Sequence, residues 1–213
     1  MNAVLCSRNA HKARELEQLL PGWTIEPLDH DDYPEETSVT YYDNARLKAE
    51  FGRAHSAGWV LAEDSGLEVA ALGGRPGVES ARYAEAAGAA GQAGGARPED
   101  PAASGGGGEG APAIAMLLGE LGDAAERGAR YVSELVLLAP DGTEYRGTGT
   151  LDGRIARAPS GTEGFGYDPV FVPEGEERTV AELGDGWKAL NSHRARAAQD
   201  LLRALADAPA TTS

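Results

Sequence analysis

Residues 59–84 read Trp59-Val60-Leu61-Ala62-Glu63-Asp64-Ser65-Gly66-Leu67-Glu68-Val69-Ala70-Ala71-Leu72-Gly73-Gly74-Arg75-Pro76-Gly77-Val78-Glu79-Ser80-Ala81-Arg82-Tyr83-Ala84. The apolar run Trp59-Val60-Leu61-Ala62 reads as a buried strand that stops at two carboxylates, Glu63 and Asp64. A carboxylate pair at a strand end is a common way to hold a hard cation. The Gly and Pro residues that follow let backbone approach a ligand closely. An enzyme with a metal is the first expectation from this stretch, ahead of a structural module.

Working outward, strands and helices interleave. Ala3–Cys6 reads as a short buried strand, Ala10–Leu20 as a helix stopped by Pro21-Gly22, and Trp23–Leu28 as an alternating strand. Residues 29–37 form an acidic loop. Tyr41–Ala54 is a helix capped by Thr40, Gly58–Glu63 a strand, and Leu67–Ala71 a second short one. After residue 111, the pattern predicts a helix over Ala113–Leu121 and a strong strand over Tyr131–Ala139. An Asp141-Gly142 hairpin leads into strand over Thr143–Ile155. Ala158–Asp168 is a loop and Pro169–Val172 a short strand. A last helix covers Asn191–Ala206, with Ala195, Ala198, Leu202 and Leu205 on its core face. This order predicts an α/β fold with a mixed β-sheet. Residues 1–208 read as a single domain. An Ala/Gly-rich insertion at 85–111 buries too little apolar surface to order itself, and 209–213 form a disordered tail.

The chain has 213 residues, 41% hydrophobic and 25% charged, which suits a globular protein of one large domain or two small lobes. A net charge of −15 argues against a nucleic-acid polymer as partner, since such binders carry a basic stripe. A small nucleotide needs only a few local cations. The single Cys6 cannot form an internal disulfide. With no signal-like start and no run long enough to span a membrane, a cytoplasmic protein is expected.

Four clusters carry chemistry. Ser7-Arg8-Asn9-Ala10-His11-Lys12 is a strand-to-helix turn in which Ser7 or Asn9 caps the helix. Its cations oppose the helix dipole unless an anion docks there. Simple solvation of these side chains is the competing explanation. Lys188 and Asn191-Ser192-His193-Arg194 repeat the pattern, with Ser192 as cap. Glu35, Glu36, Glu63 and Asp64 form a carboxylate set, suited to Mg²⁺ shared with phosphate oxygens, or to accepting a proton from water. Gly164-Phe165-Gly166-Tyr167-Asp168-Pro169 can offer an aromatic face and an acceptor to a base, although taken alone it reads as a structural turn. Together the clusters describe a nucleoside triphosphate pocket.

In this arrangement the chain resembles the Ham1-like inosine triphosphate pyrophosphatases, hydrolases of non-standard purine nucleotides. The matching pieces are Ser7 to Lys12, Glu35-Glu36-Thr37, Asn44-Ala45 and Leu47-Lys48-Ala49. They continue with Asp64 to Val69, Leu72 to Val78, Ser80 to Tyr83, Gly164 to Pro169, and Lys188 with Ser192-His193-Arg194. They run in family order over nearly the whole chain. The resemblance implies an elongated mixed sheet with helices forming two lobes around a central nucleotide-binding cleft, and a homodimer. It implies Mg²⁺-dependent cleavage of ITP, dITP and XTP to the monophosphate and pyrophosphate. A non-catalytic purine nucleotide sensor, or a pyrophosphatase for other modified nucleotides, are the alternatives.

By the same resemblance, Asp64 is the proton acceptor and a metal ligand, with Glu35 the second ligand. Ser7, Arg8, Asn9, Ala10, His11, Lys12 and Lys48 contact the triphosphate, and Ser65 the substrate. Phe165, Gly166, Tyr167, Asp168, Lys188, His193 and Arg194 line the nucleoside. His193 and Arg194 alone read as anion binders; the resemblance moves them to the base, as donors to its 6-keto oxygen. The chain departs from the family where Arg8 stands in place of the usual Gly and Glu63 in place of the more frequent Asp.

Overall fold

The computed structural model describes residues 1–7, 9–30, 32–83 and 110–208. In chain order the elements are β1 (Asn2–Cys6), α1 (Ala10–Leu19), β2 (Thr24–Pro27), α2 (Tyr41–His55), β3 (Trp59–Val69), β4 (Pro76–Gly77) and α3 (Ala111–Leu121). Then come β5 (Gly128–Leu138), β6 (Glu144–Ile155), β7 (Phe171–Pro173), α4 (Val180–Leu183), α5 (Asp185–Asn191) and α6 (His193–Ala206). The seven strands form one mixed sheet in the order β2-β1-β3-β5-β6-β7, with β4 beside β3. β1 pairs in parallel with β2 and β3, whereas β3–β4 and β6–β7 are antiparallel.

Two compact units are present, one of residues 1–65, 131–151 and 189–213, the other of residues 66–130 and 152–188. The first is a sheet with helices on both faces. Leu5, Leu61, Leu135 and Leu137 pack on one face with Leu16 of α1 and Ala197, Ala198 and Leu201 of α6. Cys6, Val60, Ala62, Val136 and Leu138 pack on the other with Ala45 and Ala49 of α2. Adjacent strand residues therefore serve opposite faces, as the two-residue period of a strand requires. The α2 stripe is Tyr41, Asn44, Ala45, Lys48, Ala49 and Gly52, a helical repeat that carries two polar residues inward. In the second unit Tyr167 donates through its hydroxyl to the Ser80 carbonyl at 3.0 Å, and the Ser80 hydroxyl accepts from the Leu67 amide at 2.8 Å. Arg127 donates to the carbonyls of Ile155 (2.9 Å), Ala156 (3.0 Å) and Gly122 (3.1 Å).

Two expectations need correction, and two helices appear where none was expected. Gly58–Glu63 and Leu67–Ala71 are not separate strands: β3 runs unbroken through Glu63, Asp64, Ser65 and Gly66, so the carboxylates sit mid-strand. Polar residues are poor strand formers on their own; here they are held by partners brought from other elements. Thr179 and Glu182 form a capping box that starts α4, and α5 follows it, in a stretch without a sequence assignment. The last helix begins at His193, one residue after its cap Ser192. The expected insertion at 85–111 falls outside the described residues apart from Gly110 and Ala111, as does the tail at 209–213.

Candidate active site

Register brings the Ser7–Lys12 cluster beside the carboxylates of β3. Cys6 at the end of β1 lies opposite Ala62 of β3, so the turn Ser7–Asn9 leaves the sheet beside Glu63 and Asp64. Ligands commonly gather at the carboxyl ends of parallel strands. Asn9, rather than Ser7, caps α1: its side-chain oxygen accepts from the amides of His11 (2.9 Å) and Lys12 (3.2 Å). The Ser7 hydroxyl accepts from the Asn9 amide at 3.1 Å and so holds the turn. Ala10 opens α1, and His11 Nδ1 lies 2.9 Å from the Arg14 guanidinium. Arg8 lies outside the described residues.

Strand alternation then separates the two carboxylates. Asp64 shares its face with Val60 and Ala62 and meets α2. Its Oδ1 accepts from Lys48 Nζ at 3.2 Å and its Oδ2 from Asn44 Nδ2 at 3.2 Å. Lys48 also donates to Glu36 Oε1 at 2.7 Å, so one ammonium joins two carboxylates. Burial pushes the Asp64 carboxyl above its ordinary value, against the pull of Lys48 and Lys12. For Lys48, burial works to lower its affinity for the proton, but Asp64 and Glu36 outweigh it and the ammonium is held above its usual range.

Glu63 shares the opposite face with Leu61. Its Oε1 accepts from Arg194 Nε at 2.8 Å and from the Ser133 hydroxyl at 2.9 Å, while Lys12 Nζ stands 3.5 Å from Oε2. Burial alone would raise this carboxyl; Arg194, then Lys12 and His193, hold it well below the usual range instead. Arg194 is 1% exposed. It also donates to Glu15 of α1, and its Nη2 lies 3.4 Å from the Ser65 hydroxyl. A charge so buried costs several kcal/mol unless paired, and here both partners are acids. His193 stacks on Tyr131, rings 4.5 Å apart and 9° from parallel.

α6 reaches this face because β6 carries glycines beneath it. A Cβ on Gly149 would stand 2.0 Å from the His193 carbonyl oxygen, and one on Gly147 2.2 Å from that of Ala197. The helix backbone rests on the strand backbone, and this contact sets the height of His193 and Arg194. Glycine inside a strand is the sequence signal of such an approach.

The second unit assembles the remaining cluster. Asp168 is 2% exposed. Its Oδ2 accepts from Lys188 Nζ at 2.6 Å and from the Phe165 amide at 2.9 Å. Lys188 Nζ lies 4.1 Å from the centre of the Phe165 ring. Gly164 has φ +75°, and a Cβ there would lie 2.2 Å from Asp168 Oδ2, so glycine is required for the turn. Gly166 also has positive φ.

The structure thus joins Asp64 with Lys48, Arg194 with Ser65, and Asp168 with Phe165 and Lys188. Glu35 is exposed, and it is Glu36 that shares Lys48 with Asp64. Among the described residues no group of three or more His, Cys, Asp or Glu is placed to hold a metal by itself. Glu15, Asn44, Tyr131 and Ser133 had no assigned role in the sequence. Ser133 had a signal, a polar residue inside the apolar run of β5.

Comparisons with known proteins give the family. A sequence model of the Ham1 family matches residues 3–204. The chain is 41% identical to the dITP/XTP pyrophosphatase of Nocardia farcinica, covering 95% of this chain and 94% of that one. It is 42% identical to the dITP/XTP pyrophosphatase of Mycobacterium bovis, with 95% and 94% covered. A HAM1 protein from Coxiella burnetii superposes with a TM-score of 0.78 at 32% identity, over 98% of this chain and 100% of that one. The Staphylococcus aureus Ham1 protein does so with a TM-score of 0.74 at 33% identity, over 97% and 98%. A family match over residues 3–204 shows that the chain belongs to the Ham1 family.

Proposed function

We propose that the chain is a nucleoside triphosphate pyrophosphatase that hydrolyses the non-canonical purine nucleotides ITP, dITP and XTP to the monophosphate and pyrophosphate. The carrying observation is Asp64, a buried carboxylate on β3 fixed by Lys48 and Asn44, two residues beyond Ala62, which pairs with Cys6 at the end of β1. The names of its relatives, dITP/XTP pyrophosphatases at about 40% identity over nearly their full length, support the same chemistry.

Asp64 accepts the proton of the attacking water. A carboxyl raised by burial is a better base than one in solvent, and fixed hydrogen bonds keep it aimed. Lys12 and Lys48, with the Ser7–Lys12 turn, hold the triphosphate so that water meets the α-phosphorus in line. The bond from that phosphorus to the bridging oxygen breaks, and pyrophosphate leaves. Asp168, Lys188, His193, Arg194 and the Phe165 ring recognise the nucleoside. Donors aimed at a 6-keto oxygen are left unpaired by the amino group of adenine, which disfavours ATP.

The donor set suits Mg²⁺, which takes one or two carboxylates and completes its shell with phosphate oxygens and water. Asp64 would hold it, with a carboxylate of the Glu35-Glu36 pair; Glu36 is the one joined to Asp64 through Lys48. The cation would neutralise charge on the phosphate oxygens. We assign the protein to the cytoplasm, where such a pool is cleared, and to a homodimer. Among the described residues no helix is long and apolar enough to cross a membrane.

The test is pyrophosphate release, with and without Mg²⁺, from ITP, dITP, XTP and ATP compared side by side. Mg²⁺-dependent release from the first three, well above that from ATP, is expected. No release from any of them would favour a nucleotide sensor and overturn the enzyme.

A further inference from the structure

Glu63 takes no part in the chemistry above, yet it is 1% exposed and its Oε1 accepts two hydrogen bonds. Alternation along β3 turns it away from Asp64 and toward α1 and α6. One oxygen, Oε1, receives both the Arg194 Nε and the Ser133 hydroxyl, at 2.8 Å and 2.9 Å. Nε lies on the edge of the guanidinium plane. A carboxylate bound there, with Glu15 bound at Nη1, restricts how the plane can turn about the last side-chain bonds. Ser133 is fully buried on β5 and fixes Glu63 in turn. The chain is therefore serine to glutamate to arginine, with both charges out of water.

We propose that Glu63, oriented by Ser133, is a positioning residue that sets the plane of Arg194 and thereby the preference for a 6-keto over a 6-amino purine. The inference rests on the proposed function, in which Arg194 faces the base. Asp64 and Glu63 then divide the work of one strand. The first serves the phosphate, and the second serves the base without touching it. Lys12 also faces Glu63, at 3.5 Å, and any loss through Lys12 falls on the triphosphate common to all substrates. The preference ratio separates the two effects.

The experiment measures kcat and KM for ITP and ATP in wild type, Glu63→Gln, Ser133→Ala, Arg194→Ala and the Glu63→Gln/Arg194→Ala double variant, with circular dichroism as the check on folding. For Glu63→Gln, the ratio of kcat/KM for ITP over ATP should fall about tenfold, chiefly through KM for ITP, with kcat little changed. Ser133→Ala should move the ratio the same way by a smaller factor; it keeps both charges and carries the test if Glu63→Gln does not fold. On the Arg194→Ala background, Glu63→Gln should change the ratio no further, because the group it positions is gone. Equal losses for both nucleotides, or an undiminished change of ratio on the Arg194→Ala background, would overturn the proposal. A wild type that releases no pyrophosphate from ITP would instead overturn the function on which it rests.

Discussion

At Asp64 burial and charge act in opposite senses on one carboxylate. Burial raises its proton affinity, Lys48 and Lys12 oppose the rise, and Asn44 fixes the second oxygen. Asp64→Asn keeps the volume but removes the base. It should lower kcat for ITP by about 10²–10⁴-fold with an unchanged circular dichroism spectrum; near-normal turnover would remove Asp64 from the mechanism. Arg127 illustrates a structural role at the same scale. Its guanidinium serves three carbonyls, those of Gly122, Ile155 and Ala156, at the entry to β5. Arg127→Ala leaves those acceptors to find water and should cost about 2 kcal/mol, read as a Tm several degrees lower with KM for ITP unchanged.

At the scale of elements, the contact between β6 and α6 decides where His193 and Arg194 stand. A methyl on Gly149 would meet the His193 carbonyl oxygen at 2.0 Å and the Ala197 nitrogen at 2.4 Å, both backbone atoms that no rotamer change can move. Gly149→Ala should therefore lift the helix start. It is expected to cost about 1–3 kcal/mol in a urea melt and to raise KM for ITP; a variant with wild-type stability and KM would show that the helix adjusts freely. This contact also marks the limit of what the sequence could tell. The helices α1, α2 and α6 are legible because a capping residue stands before each, at Asn9, Thr40 and Ser192. The candidate site residues stand in the sequence as ordered motifs. β3 was read in two pieces, because nothing local says that Glu63-Asp64-Ser65-Gly66 will meet Arg194, Lys48 and Asn44 from distant elements. Strand period then assigns the two acids to opposite faces, which only a continuous β3 makes visible. In the sequence Gly147 and Gly149 look like ordinary strand residues, since the helix that needs them comes more than forty residues later in the chain. α4 and α5 are too short for a stripe, although the Thr179 and Glu182 capping box was present to be found.

For the molecule as a whole, Cys6 links the sheet to the pH range in which the fold holds. It lies fully buried between β3 and α2, and a Cβ on Gly52 would stand 2.0 Å from its sulfur. Burial pushes the thiol up to about 12 from 9.0, only partly offset by a hydrogen bond from Gly52 and by the nearby Lys48 charge. The sign follows from proton binding. Below pH 9 both folded and unfolded chains keep the proton, and the thiol has no effect on the balance. Between 9 and 12 the unfolded chain loses it while the folded chain retains it, so the unfolded state gains and stability falls as pH rises. At about 1.4 kcal/mol per pH unit, the loss through this one group reaches about 3 kcal/mol by pH 11. The net charge of −15 adds a general repulsion at high pH, but a Cys6→Ala variant shares it. The difference in unfolding free energy between wild type and Cys6→Ala, measured in urea, should hold constant from pH 7 to about 8.5 and then shift in favour of the variant. A difference that stays flat to about pH 10.5 would mean that the thiol ionises as freely in the fold as outside it, and that the seal between α2 and β3 over Cys6 is open to water.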